Sequence, residues 1–452
     1  MESKRIYLPI ETTKRELISR MSFAIESAQA GWEPIFASKT DFLRKIKFLK
    51  SGHYIGKSLQ PGNYKHYKQI KSYGNSISVF DEEGLFSFDQ QFSNRRIGQN
   101  NFELIENYFL WGEENRNELL MKFKSVEEKL VLAGNQRIEL LKEPMINLFL
   151  DNANKIKEKY GSFILVTTKF PKVNFIKRPD LQDFVEHQIQ KGWLFNNHLV
   201  ECATKSHNHE KQNLKHLISL VQNLSIKKPK ETIIVRPHPN EDYSTYDEAF
   251  KKFKNIKIIK DHDNTNNWIA ASKYLIHFNC TTGLEAFLLN KRSFNFMPFK
   301  DESVEYNLLK EITEVVRSEN DINKIDLNFD KSIPSYEKKL EKLEKYIHNV
   351  NDKKFSEIVL KQLSKNPNYG KNIDRYTNKI YFNLIKLRFL LVRVFKKKKI
   401  DNFQKKSLQK LNPYKKKDIY KIYLDLLDKM KIKKKDLIFK EIFPRMFLLK
   451  KS

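Results

Sequence analysis

Short apolar runs alternate with amphipathic stretches through the first two thirds of the chain. Residues 5–10 (RIYLPI) read as a strand. Residues 15–30 carry Leu17, Met21, Ala24, Ile25 and Ala28 at helical spacing and stop at Gly31. Residues 32–37 and 76–80 are strand-like, 102–110 helical, and 129–133 a strand ending in Gly134-Asn135. A second set opens at Ser162 with the apolar run FILVTT, closed by Lys169-Phe170-Pro171. Polar helices follow from Leu181 to about Gln222, with a break near Gly192. Residues 232–235, 256–259, 274–278 and 293–296 predict four further strands. Strands alternating with helices predict an α/β fold of parallel sheets covered by helices, with ligands outside the carboxyl ends of the strands. From about Ser335 the pattern turns helical and charged, and beyond Lys371 it is a Lys-rich helical tail. The expected domains are therefore 1–155, 156–334 and a helical extension over 335–452.

Composition changes this picture little. The chain has 452 residues, 40% of them hydrophobic and 12% aromatic, enough for two or three cored domains. Two cysteines, Cys202 and Cys280, exclude a disulfide scaffold and supply no metal-ligand cluster, which fits a reducing cytosol. The start MESKRIYLPIETTKREL lacks an apolar core of signal-peptide length, and no eighteen uninterrupted apolar residues occur. The longest apolar stretch near the end, residues 384–395, is interrupted by Lys386, Arg388 and Arg393, so it could lie on a membrane but not cross one.

Charge does change it. The formal net charge is +29, and the stretch from Lys371 onward holds 26 Lys/Arg against 7 Asp/Glu. Most of the excess lies on the tail, including Lys396 to Lys399, Lys415 to Lys417 and Lys433 to Lys435, interleaved with Ile, Leu, Phe and Tyr. An anionic inner-leaflet surface suits this pattern, as do nucleic-acid phosphates or plain solvation. The interleaved aromatics favour the membrane, and no RNA-binding module motif is present.

Three loops could carry chemistry. In Val235-Arg236-Pro237-His238-Pro239-Asn240-Glu241-Asp242, a strand delivers Arg236 and His238 into a loop stiffened by prolines, and both side chains suit phosphate oxygens. Alone, the HP dipeptide is an ordinary turn with a surface histidine. In His277-Phe278-Asn279-Cys280-Thr281-Thr282-Gly283-Leu284-Glu285-Ala286, a strand runs through two threonines and a glycine into a helix. The hydroxyls and Gly283 would permit close approach of an anion, or a threonine would simply cap the helix. Two anion-suited loops on one sheet fit a diphosphate or a nucleoside monophosphate. The third loop, Asp81-Glu82-Glu83-Gly84, clusters carboxylates after a strand, as a general base needs and as a solvated acidic turn also shows. Trp111, Trp193 and Trp268 read as packing, with Trp268 kept open as a sugar platform because it precedes the Thr-Thr-Gly strand.

YLPIETTKREL, the DEEG turn, Trp111-Gly112, Gly134-Asn135-Gln136-Arg137, RPHPNED and NWIAASKYLIHFNCTTGLEA occur in one order over roughly residues 5 to 300. In this combination the chain resembles bacterial surface carbohydrate biosynthesis proteins. These look like GT-B glycosyltransferases, two Rossmann-like domains with a facing cleft, and are similar to the HP-motif sialyltransferases and to Kdo and polysialic acid transferases. The resemblance implies an acceptor domain over 1–155 and a nucleotide-sugar donor domain over 156–334. It implies Glu82 as the base on the acceptor hydroxyl, with Asp81 or Glu83 as alternatives. It implies His238, Thr281 and Thr282 on the donor phosphate, and Glu285 against the ribose. Arg236 is added as a charge partner from its chemistry. Gln136 stands where the family pattern has Pro, which would loosen that turn.

The expected function is glycosyl transfer from a nucleotide-activated sugar, CMP-linked acidic sugars first and UDP- or GDP-sugars next, to a growing surface polysaccharide or lipid-linked acceptor. No Asp-x-Asp motif stands out, so neither a metal nor another cofactor is expected. The expected location is cytoplasmic, peripheral on the inner face of the plasma membrane, without a specific nucleic-acid partner. The alternatives are a polyol-phosphate transferase using a CDP-linked donor and a non-catalytic membrane- or nucleic-acid-binding protein.

Overall fold

A computed structural model describes residues 4–82, 84–85, 97–174, 180–190, 194, 196–260, 263–324, 335–352, 354–365, 387 and 416–452. Glu83, Trp193, Lys396 to Lys399, Lys415 and, save Leu387, the stretch 384–395 lie outside the described residues.

The chain forms two compact units: Met1–Leu85 with Arg96–Leu140 and Lys345–Ser452, and a second whose main body is Leu141–Glu344. In the first unit the strands are β1 (Lys4–Ile10), β2 (Trp32–Ser38), β3 (His53–Gly56), β4 (Ser76–Phe80), β5 (Asn107–Leu110) and β6 (Leu130–Leu132). They pair in parallel in the order β2-β1-β3-β4-β5-β6, which reverses between β1 and β3. Central β1 is buried from Ile6 to Ile10 because helices cover both faces of such a sheet, so it reads as an unbroken apolar run. The helix Thr13–Gln29 buries the residues its periodicity predicted, Leu17, Met21, Ala24, Ile25 and Ala28. It ends where Gly31 takes φ +84°, a left-handed conformation that glycine adopts without a Cβ clash.

Two expectations for this unit are corrected. Residues 102–110 are not one helix: a 3₁₀ turn at Gln99–Leu104 precedes strand β5, whose Asn107–Leu110 is wholly buried. In its described residues, 335–352, 354–365, 387 and 416–452, the segment 335–452 is not a separate helical extension. Tyr336 still stacks on Phe287 in the second unit, at 4.7 Å between ring centres. From Lys345 the chain joins the first unit, and Phe355 packs edge-on against Phe23 and Phe80. Its end is a helix, Lys416–Lys429, then a hairpin of β13 (Leu437–Phe443) and β14 (Met446–Lys451). β14 pairs antiparallel with β2, Phe447 opposite Phe36, and so covers what would be an exposed edge of apolar residues. The period-two burial of Phe447 and Leu449 fits a strand, not a helix.

The second unit holds β7 (Phe163–Thr167), β8 (Thr232–Arg236), β9 (Ile256–Ile258), β10 (Leu275–His277), β11 (Ser293–Phe296) and β12 (Glu314–Val316). All pair in parallel in the order β12-β11-β10-β7-β8-β9, the dinucleotide-fold arrangement, which reverses between β7 and β10. The boundary falls earlier than expected, because helix Asn147–Tyr160 belongs here and its Tyr160 ring lies 5.3 Å from that of Trp268. The long polar stretch resolves into helices Leu181–Gln190 and Asn197–Lys227. No helix among the described residues is long and apolar enough to cross a membrane.

Candidate functional site

In the first unit the chemistry gathers where the sheet order reverses. β1 ends at Ile10-Glu11, β3 at Gly56-Lys57, and the helix Thr13–Gln29 starts between them. Lys57 Nζ lies 3.2 Å from Glu11 Oε2 and 3.1 Å from Glu16 Oε1. The Glu16 carboxylate accepts the backbone N–H of Glu11 at 2.8 Å and of Thr12 at 3.3 Å, closing the helix start. Burial would push the Glu16 carboxyl up, but Lys57, Arg15 and Arg20 outweigh it and hold the pKa at about 2.

Arg20, one turn further along, reaches Glu82 just after β4, Nη2 to Oε1 at 2.9 Å, with both side chains at least 95% buried. Its guanidinium also lies 4.6 Å from the Phe80 ring centre. Among the described residues Glu82 Oε2 has no hydrogen-bond partner. At its first two residues the acidic turn is not solvated: Asp81 and Glu82 are both buried, and Trp111 donates its indole N–H to the Asp81 carbonyl. Gly84 is required by packing, since a Cβ there would lie 2.3 Å from Asp81 Oδ2. Trp111 is therefore a packing residue.

Gln136 does not loosen its turn. Asn135 caps the short helix Gln136–Glu139, and the Gln136 amide bonds Ser22, Glu26 and Ser356. The amide takes over in side-chain contacts what a proline would supply in backbone rigidity.

In the second unit the two predicted loops flank the reversal between β7 and β10. Thr167, the last residue of β7, shares a 2.9 Å hydrogen bond with the Thr282 hydroxyl. Lys169 follows and reaches the other way across the reversal, donating to the Asn279 carbonyl at 2.8 Å and the Tyr306 hydroxyl at 3.1 Å. Burial would lower the Lys169 pKa, yet Tyr306, Cys280 and Glu210 raise it above the ordinary lysine value, so the ammonium stays charged. Asn279 sits at φ +40°, a left-handed conformation rare for a side-chain-bearing residue. Its side chain is fixed by Val304 O at 2.7 Å and by Tyr306 N at 3.1 Å.

His238 is held less by its prolines than by hydrogen bonds. Its N–H donates to Thr168 Oγ1 at 3.2 Å, and its Nδ1 accepts from Asn240 N at 3.2 Å. An accepting Nδ1 places the proton of the neutral ring on Nε2. Glu241 underlies this loop: its buried carboxyl accepts from Thr168 Oγ1 at 2.9 Å, from Phe170 N at 2.9 Å and from the Tyr246 hydroxyl. Burial raises the Glu241 pKa to about 7, against the lowering by those three donors. Arg236 donates to the Asp263 carbonyl at 3.0 Å and stacks 5.0 Å over Trp268, which is 2% exposed and packs inside rather than offering a sugar platform.

The Thr-Thr-Gly loop leads into the helix Thr282–Leu288. Thr281 precedes the helix Thr282–Leu288 without capping it, and is half-exposed. The hydroxyl of buried Thr282 already pairs with Thr167. Gly283 is glycine because of His277: a Cβ would meet His277 Nε2 at 2.5 Å, so packing rather than anion approach requires it. Burial, and secondarily Lys169, lowers the His277 pKa to about 3, so that ring is neutral. Glu285 lies half-buried in the first turn of the helix.

Sequence reasoning quoted Lys169, Glu241 and Asn279 without giving them roles, and it passed over Arg20 and Lys57. The available signal was position alone, since Lys57, Lys169 and Asn279 each stand one or two residues beyond a strand. No group of three or more His, Cys, Asp or Glu that could hold a metal ion occurs among the described residues.

No family model and no curated protein matches the chain. Among solved structures it is similar to the wall teichoic acid polymerase TagF, with a TM-score of 0.50 at 11% identity over 80% of this chain and 88% of that one. It is also similar to UDP-GlcNAc 2-epimerases, from Methanocaldococcus jannaschii (TM-score 0.46, 15% identity, 80% of this chain and 100% of that one) and from Neisseria meningitidis (0.47, 14%, 81% and 100%). The fold is α/β of the GT-B kind, two Rossmann-like domains with parallel sheets.

Proposed function

We propose that the protein is a glycosyltransferase that moves a sugar from a nucleotide-activated donor, a CMP-linked acidic sugar by preference, to a growing surface polysaccharide or lipid-linked glycan. The observation that carries this reading is the reversal point of the second sheet. There a charged Lys169 spans from β7 to the loop after β10, and Thr168 fixes the backbone of His238 on the neighbouring loop. Ligands of open α/β sheets sit at such points, and phosphates need fixed cationic and N–H donors.

In this reading Glu82 takes the proton of the acceptor hydroxyl as that oxygen attacks the anomeric carbon. The bond from that carbon to the donor phosphate breaks, and the leaving phosphate accepts hydrogen bonds from His238 Nε2 and the Thr281 hydroxyl. Thr282 and Gly283 hold the loop rather than touch the ligand, Arg236 and Lys169 supply positive charge, and Glu285 faces the ribose. Arg20 orients Glu82 through one oxygen. The leaving group is stabilised by side chains, without a metal or other cofactor. The kinship with sialyltransferases and Kdo transferases, a cytoplasmic location, and docking of the basic C-terminal region on an anionic inner membrane belong to the same proposal, with no specific nucleic-acid partner.

Transfer of a polyol phosphate from a CDP-linked donor is the second reading, because a wall teichoic acid polymerase shares the fold. Mass analysis of products from CMP-, UDP- and GDP-sugars and CDP-glycerol separates the two. A glycan heavier by one sugar supports glycosyl transfer, and one heavier by a polyol phosphate supports the second reading. A donor returned unchanged or only epimerised contradicts both.

A further inference from the structure

We infer that the edge of the first sheet where β1 and β2 begin is a docking face for an anionic lipid bilayer. This rests on the membrane part of the proposed function and deepens it by naming the surface.

Strand register brings the basic residues together. Lys431, Lys433, Lys434 and Lys435 lead directly into β13, which begins at Leu437. β14 finishes at the same end, with Lys451 opposite Leu437 and Lys450 opposite Ile438. Ser452 ties the two ends, its N–H to the Asp436 carbonyl at 3.0 Å and its hydroxyl to the Lys435 carbonyl at 2.5 Å. Because β14 runs antiparallel to β2, with Leu448 opposite Ile35, its last lysines run toward the start of β2 at Trp32. Lys4 lies opposite Trp32 on the next strand. All these lysines are exposed, and none has a carboxylate partner among the described residues. Among the acids of this end, Glu33 is paired with Arg5 at 2.9 Å, Glu26, Glu139 and Glu357 line a cavity with Lys4 and Trp32, and Asp436 is exposed beside Lys435.

The chemistry favours headgroups over nucleic acid. The named charges are lysines, point charges that suit dispersed phosphates, carried by β1, β14 and the approach to β13, three of four adjacent strands about 4.8 Å apart. Beside it Ile438 is 39% exposed, an apolar group among the lysines. The described rings at this face are engaged with one another and with lysine: Phe439 packs on Tyr423, Phe447 and Tyr420, and Lys434 covers Tyr420. The face lies opposite the edge that carries Glu82 and Lys57, about 20 Å along the seven residues of β1, so docking leaves that edge open.

Co-sedimentation of the full chain with vesicles tests this, phosphatidylcholine alone against phosphatidylcholine with phosphatidylglycerol. The variant Lys433→Glu/Lys434→Glu/Lys435→Glu/Lys450→Glu is compared with a charge-matched control, Lys215→Glu/Lys230→Glu/Lys252→Glu/Lys254→Glu, on the second unit. The expected result is binding only to the anionic vesicles, weakened at least tenfold in the edge variant and less than twofold in the control, and falling steeply with salt. Equal losses in both variants, equal binding to neutral vesicles, or edge-dependent binding to single-stranded RNA that displaces the vesicles would overturn it. Thermal unfolding of each variant with nucleotide checks that the fold persists. Absence of a nucleotide effect in the wild type would count against the donor reading while leaving this one intact.

Discussion

Thr167 and Thr282 share a side-chain hydrogen bond of 2.9 Å between the end of β7 and the loop after β10, where the strand order of the second sheet reverses. The crevice expected to hold a ligand is thus stitched shut at its floor by two neutral hydroxyls. Lys169 follows β7 by two residues, His238 follows β8 by two, and Thr281 directly precedes Thr282.

That division gives the two adjacent threonines opposite roles. Thr282→Val leaves the buried Thr167 hydroxyl without its partner and should cost about 1–3 kcal/mol of stability. Thr281→Val should leave the melting temperature within about a degree, since Thr281 caps nothing, yet weaken nucleotide binding. Thermal unfolding with and without nucleotide separates the effects.

Gly283 makes a similar point about packing. Gly283→Ala should destabilise the second unit by about 1–3 kcal/mol through the clash with His277. In His277→Ala the same change should cost clearly less, a non-additivity measurable by chemical denaturation. Additive losses would mean that His277 is not what excludes a side chain there.

The Arg20–Glu82 pair predicts a different asymmetry. Arg20→Met strands a buried carboxylate and should cost about 3–5 kcal/mol, whereas the double change Arg20→Met/Glu82→Gln should recover much of that loss. Glu82→Gln alone should abolish transfer and leave donor binding intact, which a calorimetric titration of nucleotide would reveal.

Glu241 predicts a pH effect with a definite sign. Its folded pKa of about 7 lies above the unfolded carboxyl value, so its contribution is full below the unfolded pKa and is lost as pH rises through 7. Buried His53 and His277, each lowered to about 3, act in the opposite sense, their contribution being lost as pH falls below the unfolded histidine value. The wild-type profile therefore mixes both. Comparison with Glu241→Gln, which keeps both histidines, isolates the carboxyl: relative to wild type, the variant should gain about 1 kcal/mol, or about 2–4 °C, between pH 6 and pH 8. A difference independent of pH would refute the raised pKa.

Much of this was legible before the fold. Apolar runs at 5–10, 32–37, 76–80 and 163–167 became strands because buried parallel strands need unbroken apolar sequence. Other elements escaped for physical reasons. His53–Gly56 is too short to show a period, and its histidine looks polar though Ser76 and Ser78 satisfy it inside the sheet. The hairpin at 437–451 was hidden by lysines that face solvent while alternate side chains face the core. At the site, His238, Glu82 and the threonines announced themselves through motifs. Lys169 and Arg20 did not, because their meaning lies in which strand ends the topology makes adjacent.

The most direct test of the central claim is thermal unfolding against CMP, CDP, UDP and GDP, in the wild type and in His238→Ala. At a hundredfold excess over Kd, a bound nucleotide adds about 2.7 kcal/mol, a rise of about 5–10 °C for a domain of this size. The account predicts such a rise with one nucleotide, lost in His238→Ala while the ligand-free melting temperature is kept. An unchanged melting temperature with all four, or an equal rise in both proteins, would contradict it.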